Sequence, residues 1–150
     1  MLRKLELADM DAAALVRRTS FAQALPWLAG LHTAEEDQRF FRERLFKTCQ
    51  LWGAFAQAEL VGLIAFREDW IDQLYVLPKA QRRGVGTALL RLAQRAFPRL
   101  DLWTFQRNAP ARRFYEARGF VPIAETDGAQ NEEQEPDALY RWTRNQPERR

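Results

Sequence analysis

The chain has 150 residues, 47% hydrophobic and 12% aromatic, with 23 Lys+Arg against 20 Asp+Glu and a formal net charge of +3. That length suits a single domain spanning 1–150 that buries roughly 70% of the surface its unfolded chain exposes, and the apolar content excludes a disordered chain. No apolar run approaches the ~20 residues of a membrane helix, and the start MLRKLELADMD lacks a signal-peptide core. One cysteine (Cys49) and one histidine (His32) offer neither an internal disulfide nor a zinc cage, so a cytoplasmic protein without metal is expected.

Leu2 to Leu7 alternates like a short strand. Asp9 or Asp11 can cap a helix running to about Ala24, where Pro26 stops it. Thr33, followed by Glu36, opens a second capping pattern before a helix that carries Phe40, Phe41, Leu45 and Phe46 towards Cys49. Leu51 to Ala56 and Leu60 to Arg67 read as a hairpin, and Trp70 to Leu77 as a third strand ended by Pro78. From Val85 the period turns helical: Val85, Ala88, Leu89, Leu92, Ala93, Ala96 and Phe97 share one face until Pro98. Leu100 to Gln106 is a further strand, Asn108 caps a short helix with Pro110 in its first turn, and Gly119 follows its end. Phe120 to Ala124 and Ala138 to Thr143 close the chain as strands around an acidic loop. The order β-α-α-β-β-β-α-β-α-β-β predicts an α/β mixed sheet and not a doubly wound parallel one.

The segment Leu74-Tyr75-Val76-Leu77-Pro78-Lys79-Ala80-Gln81-Arg82-Arg83-Gly84-Val85-Gly86-Thr87 runs a strand into a basic, glycine-bearing turn that opens into an amphipathic helix. Glycines let backbone N–H groups converge, and a helix N-terminus adds partial positive charge, so such a turn suits phosphate. An ordinary strand-to-helix connection is the plainer alternative. The common phosphate loops do not fit: no lysine stands between Gly86 and Thr87, and Leu89 stands where a dinucleotide fingerprint needs its third glycine.

Gln81-x-x-Gly84-x-Gly86 after Leu-Tyr-Val-x-Pro resembles the acyl-CoA pyrophosphate loop of the GNAT superfamily of acetyl-CoA-dependent N-acetyltransferases. Asn108-Ala-Pro-Ala-Arg-Arg-Phe-Tyr115-Glu-Ala-Arg-Gly119-Phe120 is similar to that superfamily's second signature, and the element order matches throughout. The segment from Trp27 through Leu31-His32-Thr33, with Asn131-Glu132-Glu133 and Pro136-Asp137, resembles a bacterial subgroup of unknown substrate. The resemblance implies that backbone groups of Leu74, Tyr75 and Val76 pair with the pantetheine arm and that the Val76 N–H polarises the thioester carbonyl. It also implies that Gln81, Arg82, Arg83, Gly84, Val85, Gly86 and Thr87 hold the pyrophosphate, and that Asn108 contacts the cofactor arm.

Tyr115 would stand near the sulfur as the general acid. Amine attack expels a thiolate of pKa about 8.5–9, which a phenol near 10 can protonate. Outside the family context Tyr115 reads as a half-buried helix aromatic. The family's commonest basic positions hold Trp70 and Trp103, which leaves Asp72 as the candidate base, or a solvated strand carboxylate. A regular strand would put Glu68, Trp70, Asp72 and Leu74 on one face.

For the acceptor, Glu35-Glu36-Asp37 and the acids of NEEQEPD (Glu132, Glu133, Glu135, Asp137) suggest an acidic rim favouring a small cationic primary amine. His32 and Glu132 are candidate lining residues, with Trp27 and Trp70 as an apolar wall. The reaction expected is direct transfer from acetyl-CoA in a ternary complex, without metal or covalent intermediate. Two other functions remain: a catalytically silent CoA-binding regulatory or partner module, and an acetyltransferase acting on a protein N-terminus or tRNA. No membrane partner is expected, the acidic rim argues against nucleic acid, and a homodimer stays open. The charge surplus is expected at Lys79, Arg82 and Arg83, in the pyrophosphate turn.

Overall fold

The computed structural model describes residues 1–144; the expected domain span of 1–150 therefore includes six residues outside those described. In chain order the elements are β1 (Leu2–Lys4), α1 (Met10–Ala24), α2 (Ala34–Phe40), β2 (Gln50–Ala56), β3 (Glu59–Arg67), β4 (Trp70–Val76), α3 (Val85–Ala96), β5 (Arg99–Phe105), α4 (Ala109–Glu116), β6 (Val121–Glu125) and β7 (Asp137–Thr143). A π-helical turn (Phe41–Leu45) and a last α-turn (Phe46–Thr48) extend α2. The α/β mixed sheet and its predicted element order are both present.

The sheet runs β1-β2-β3-β4-β5-β7-β6. Every pairing is antiparallel except β4 with β5, and that parallel step is bridged by α3, because parallel neighbours need a crossover. β4 pairs with β3 from Arg67↔Trp70 to Gly62↔Val76, and β5 with β7 from Arg99↔Thr143 to Phe105↔Asp137. Between β4 and β5 the only registered pair is Trp70↔Asp101, beside Asp101 N–H donating to the Asp69 carbonyl at 2.8 Å. The two strands are thus joined at their starts and diverge towards Val76 and Phe105. This opening positions the site.

Both sheet faces are covered. Ile64, Phe66, Leu89, Leu100, Phe120 and Tyr140 form one core with α3 and α4, and Met10, Ala13, Phe41, Leu63 and Ala65 form the other with α1 and α2. Burial on both faces explains the continuous apolar run Leu60–Phe66 in β3. Gly62 lets α3 approach, since a Cβ there would lie 3.1 Å from Val85 Cγ1 and 3.2 Å from the Tyr75 carbonyl oxygen. Truncating the fully buried Leu89 to alanine would cost about 2–5 kcal/mol. No helix among the described residues is long and apolar enough to cross a membrane.

Four local expectations need correction. β1 stops at Lys4, because Glu6 N–H donates to Asp9 Oδ2 at 2.7 Å and starts a tight turn. Asp9 therefore does not cap α1 with its side chain; its oxygens accept from Arg3 at 2.9 and 3.1 Å. Phe120 precedes β6 and is buried. Finally, β4 is not regular. The register steps from Ala65↔Gln73 to Phe66↔Ile71, leaving Asp72 as the extra residue of a bulge. Leu74 then packs on the α3 side, while Asp72 reaches Cys49 beside the other core. The Thr33 capping box is as expected, with Glu36 N–H donating to Thr33 Oγ1 at 3.1 Å and Thr33 N–H to Glu36 Oε1 at 2.8 Å.

Candidate active site

Beyond β4 the chain turns through Pro78–Ala80 and then takes positive φ at Arg82 (66°) and Gly84 (80°) before α3. Gly84 is the N-cap residue without a side-chain cap, and the first helical bond is Ala88 N–H to the Gly84 carbonyl at 3.0 Å. The N–H groups of Val85, Gly86 and Thr87 consequently have no acceptor within the helix, and the helix dipole adds positive character there. A Cβ at Gly84 would meet nothing within 4 Å, so the turn is an open cradle, whereas one at Gly86 would lie 3.2 Å from the Phe114 ring. The two glycines serve different ends: Gly84 permits the left-handed backbone, and Gly86 lets α4 pack closely.

Arg82 and Arg83 are exposed, and neither forms an ion pair among the described residues. Lys79 does not join them; its Nζ pairs with both Glu59 oxygens at 2.8 Å. That corrects the expected location of the charge surplus. The cation that does reach the cradle is Arg118, unnoticed in the sequence. Its Nε donates to Thr87 Oγ1 at 2.9 Å and its guanidinium lies 3.9 Å over the Phe114 ring. The Thr87 hydroxyl is therefore engaged, which leaves its backbone N–H for an anion.

Leu77 N–H donates to the Val61 carbonyl at 2.8 Å. Antiparallel alternation then directs the backbone groups of Tyr75 to β3 and those of Leu74 and Val76 into the β4–β5 opening. The Val76 carbonyl accepts from Ser20 Oγ at 3.1 Å and Gln81 Nε2 at 2.9 Å. Its N–H faces the region that β5 does not reach.

Asn108 caps α4, its Oδ1 accepting from Ala111 N–H at 3.3 Å. Two turns on, Tyr115 is 8% exposed, with its ring centroid 5.3 Å from Phe114, 5.4 Å from Phe120 and 6.5 Å from Tyr140. Its hydroxyl makes no hydrogen bond among the described residues. Burial pushes the phenol well above its ordinary pKa, and the nearby Tyr75 adds to the shift.

The last turns of α1 span the mouth of the opening. Ser20 holds Val76, and Phe21 meets Phe105 edge to face at 6.3 Å. A cavity of about 200 Å³ on this side is lined by Arg17, Phe21, Leu28, His32, Asp37 and Glu133. His32 Nε2 lies 3.1 Å from Glu132 Oε1 and Nδ1 lies 3.5 Å from Glu36 Oε1. The Glu132 hydrogen bond, foremost, raises the His32 pKa. Trp27 is 46% exposed; its Nε1 donates to Glu135 Oε1 at 3.0 Å, and the Arg107 guanidinium lies 3.9 Å over its ring.

Trp70 and Asp72 are not in this group. Trp70 sits at the closed end, six residues and about 20 Å along β4 from Val76. Asp72 lies about 13 Å from Val76 by the same measure, and accepts from Arg67 at 2.7 and 3.2 Å and from Cys49 Sγ at 3.1 Å. Burial, then Asp72, pushes the Cys49 thiol up to about 12, so it is a neutral thiol and a poor nucleophile near pH 7. Among the described residues no cluster of His, Cys, Asp or Glu could hold a metal ion.

Sequence reasoning missed Ser20, Arg107 and Arg118, which carry no local signal. Glu135 stood within the acidic loop but was not singled out from its neighbours.

The sequence profile of the acetyltransferase (GNAT) family matches residues 18–120. The peptidyl-lysine N-acetyltransferase YiaC of Escherichia coli (strain K12) is 35% identical over 103 residues, covering 67% of this chain and 68% of that protein. The fold is similar to that of apo YjaB from Escherichia coli, with a TM-score of 0.79 at 19% identity over 96% of this chain and 97% of that one. It is also similar to PaiA N-acetyltransferase from Thermoplasma acidophilum in complex with coenzyme A, with a TM-score of 0.71 at 22% identity over 95% and 98% of the two chains. An open glycine cradle, a strand edge free of its parallel neighbour and a buried helix tyrosine thus coincide in a chain that belongs to the GNAT family of acetyl-CoA-dependent N-acetyltransferases.

Proposed function

We propose that this enzyme transfers the acetyl group of acetyl-CoA directly to a cationic primary amine, without a covalent enzyme intermediate. The observation that carries this reading is the free edge of β4, where the Val76 N–H faces an opening that β5 leaves unpaired. The pantetheine arm adds to that edge at the backbone groups of Leu74 and Val76, much as a strand would, while those of Tyr75, expected to join them, pair with β3 instead. Its pyrophosphate rests on the N–H groups of the turn from Arg82 to Thr87, with Gln81 beside it and Arg82 and Arg83 as charged partners. Asn108 borders the arm from the start of α4.

An ammonium of pKa about 10 is roughly one part in a thousand neutral at pH 7, so it must lose a proton before attack. Asp72, engaged by Arg67 and distant from Val76, is assigned to holding the β4 bulge. Glu133, which lines the acceptor cavity and acts electrostatically on Tyr75, takes the proton through water. The neutral amine attacks the thioester carbon, and the Val76 N–H stabilises the oxyanion. As the C–S bond breaks, the Tyr115 hydroxyl gives its proton to the thiolate, and the proton lost from the new amide nitrogen restores it. The raised phenol pKa suits this step, because the same apolar surroundings raise the thiol.

The acidic side chains Glu36, Glu132 and Glu133 around His32 favour a cationic acceptor, either a small amine or a lysine side chain. The peptidyl-lysine specificity named for YiaC supports the lysine form. In Tyr115→Phe, kcat should fall about 100-fold or more while the Kd for acetyl-CoA stays near the wild-type value. An unchanged kcat would remove Tyr115 from the mechanism.

A further inference from the structure

Glu135 is 5% exposed, and its carboxylate is poorly compensated. Oε1 accepts from Trp27 Nε1 at 3.0 Å, but Oε2 has no hydrogen-bond partner among the described residues. The cation paired with it among the described residues, Arg107 Nη1, stands 3.8 Å from Oε1, outside hydrogen-bonding range. A buried carboxylate ordinarily needs a cation and a full set of hydrogen bonds. The protein nevertheless fixes this one in place: Asn131 Nδ2 donates to the Glu135 carbonyl at 2.7 Å, and Glu135 N–H donates to Asn131 Oδ1 at 3.2 Å. Gly128, at φ 84°, packs against the Glu135 carbonyl so closely that no Cβ would fit. The loop thus holds an incompletely satisfied acid in a fixed position, beneath the Trp27 and Arg107 side chains.

The position is the mouth of the β4–β5 opening. Gln106 N–H, just past β5, donates to the Pro136 carbonyl at 2.9 Å, and Trp27 follows the turns of α1 that hold Val76 and Phe105. An aromatic face beside a carboxylate is a seat for a cation. In this structure the chain's own Arg107, 60% exposed along its side chain, lies on that face.

We propose that Trp27 and Glu135 form a subsite for a second positive charge on the acceptor, one flanking the amine that reacts, and that Arg107 fills it until the acceptor displaces it. The inference rests on the proposed cationic acceptor and deepens it. A diamine or a lysine followed by arginine carries the required chemistry.

The test compares kcat/KM for putrescine against butylamine, and for a Lys-Arg peptide against a Lys-Ala peptide. Glu135→Gln keeps the shape and the Trp27 hydrogen bond but removes the charge, and should lower both ratios about tenfold. Arg107→Gln removes the competitor and should raise them. Ratios lowered in both variants, or moved in neither, would overturn the proposal. Improvement with only one acceptor pair assigns the source of the cation. A second readout needs no turnover: N-acetylarginine methylamide, which has no acceptor amine, should shift the Trp27 indole N–H resonance, and more weakly in Glu135→Gln. If wild type acetylates none of these amines yet Trp27 shifts, the acceptor reading fails and the cation subsite stands. An unmoved Trp27 resonance overturns the subsite.

Discussion

The donor side and the acceptor side of the β4–β5 opening are built on opposite terms. On the proposed donor side, polar groups are left without partners among the described residues: the N–H groups of Val76, Val85, Gly86 and Thr87, the Tyr115 hydroxyl, and two exposed arginines. On the proposed acceptor side, several charged groups are engaged by the chain itself, through Arg18–Asp37 at 2.9 Å, His32–Glu132 at 3.1 Å and Arg107 on Trp27. On the proposed reading, binding acetyl-CoA satisfies groups already in place, whereas an acceptor replaces contacts the protein makes with itself. The difference explains why the donor side is the more legible from sequence.

The sharpest way to break the donor side is Gly84→Val. Its φ of 80° costs a side-chain-bearing residue about 1–2 kcal/mol, and the new methyl groups enter the open cradle. Acetyl-CoA affinity should fall about 100-fold, a loss of ~2.7 kcal/mol by calorimetry; unaltered affinity would move the pyrophosphate elsewhere.

Asp72→Asn separates bulge support from base catalysis. The Arg67–Asp72 pair is partly exposed, so its loss should cost no more than about 1 kcal/mol, with kcat within about threefold of wild type. A fall of 100-fold would restore Asp72 as the base. The same change should bring the Cys49 thiol below about 12, because Asp72 is the second cause of its elevation after burial; alkylation rates against pH read this directly.

The smallest effect concerns the acceptor clamp. Glu132→Gln should lower the His32 pKa, observed by NMR titration, since Glu132 is the leading cause of its elevation. The sign follows from linkage. A folded pKa raised above about 6.5 stabilises fully below that value, and the contribution is lost as pH rises through the folded pKa. An unchanged His32 pKa would break the clamp.

The contrast also decides what could be read from sequence. Donor features are local: Gly84 and Gly86, the Asn108 cap and Tyr115 lie within continuous motifs whose backbone chemistry follows from residue type. Apolar periodicity located the strands and helices for the same reason. Acceptor features are made by meetings across the chain, such as Trp27 with Glu135 and His32 with Glu132, which periodicity does not encode. The bulge at Asp72 is likewise a matter of register between β3 and β4. It moved both Asp72 and the expected face of the strand, and Lys79 was drawn away by Glu59, twenty residues earlier.

The central claim is that the β4 edge and the glycine cradle form a ready-made acetyl-CoA site, and thermal unfolding with and without acetyl-CoA tests it most directly. At 100 times its Kd the ligand should add about 2.7 kcal/mol, raising Tm by roughly 5–11 °C for a chain of this size. A Tm indifferent to millimolar acetyl-CoA would contradict the account.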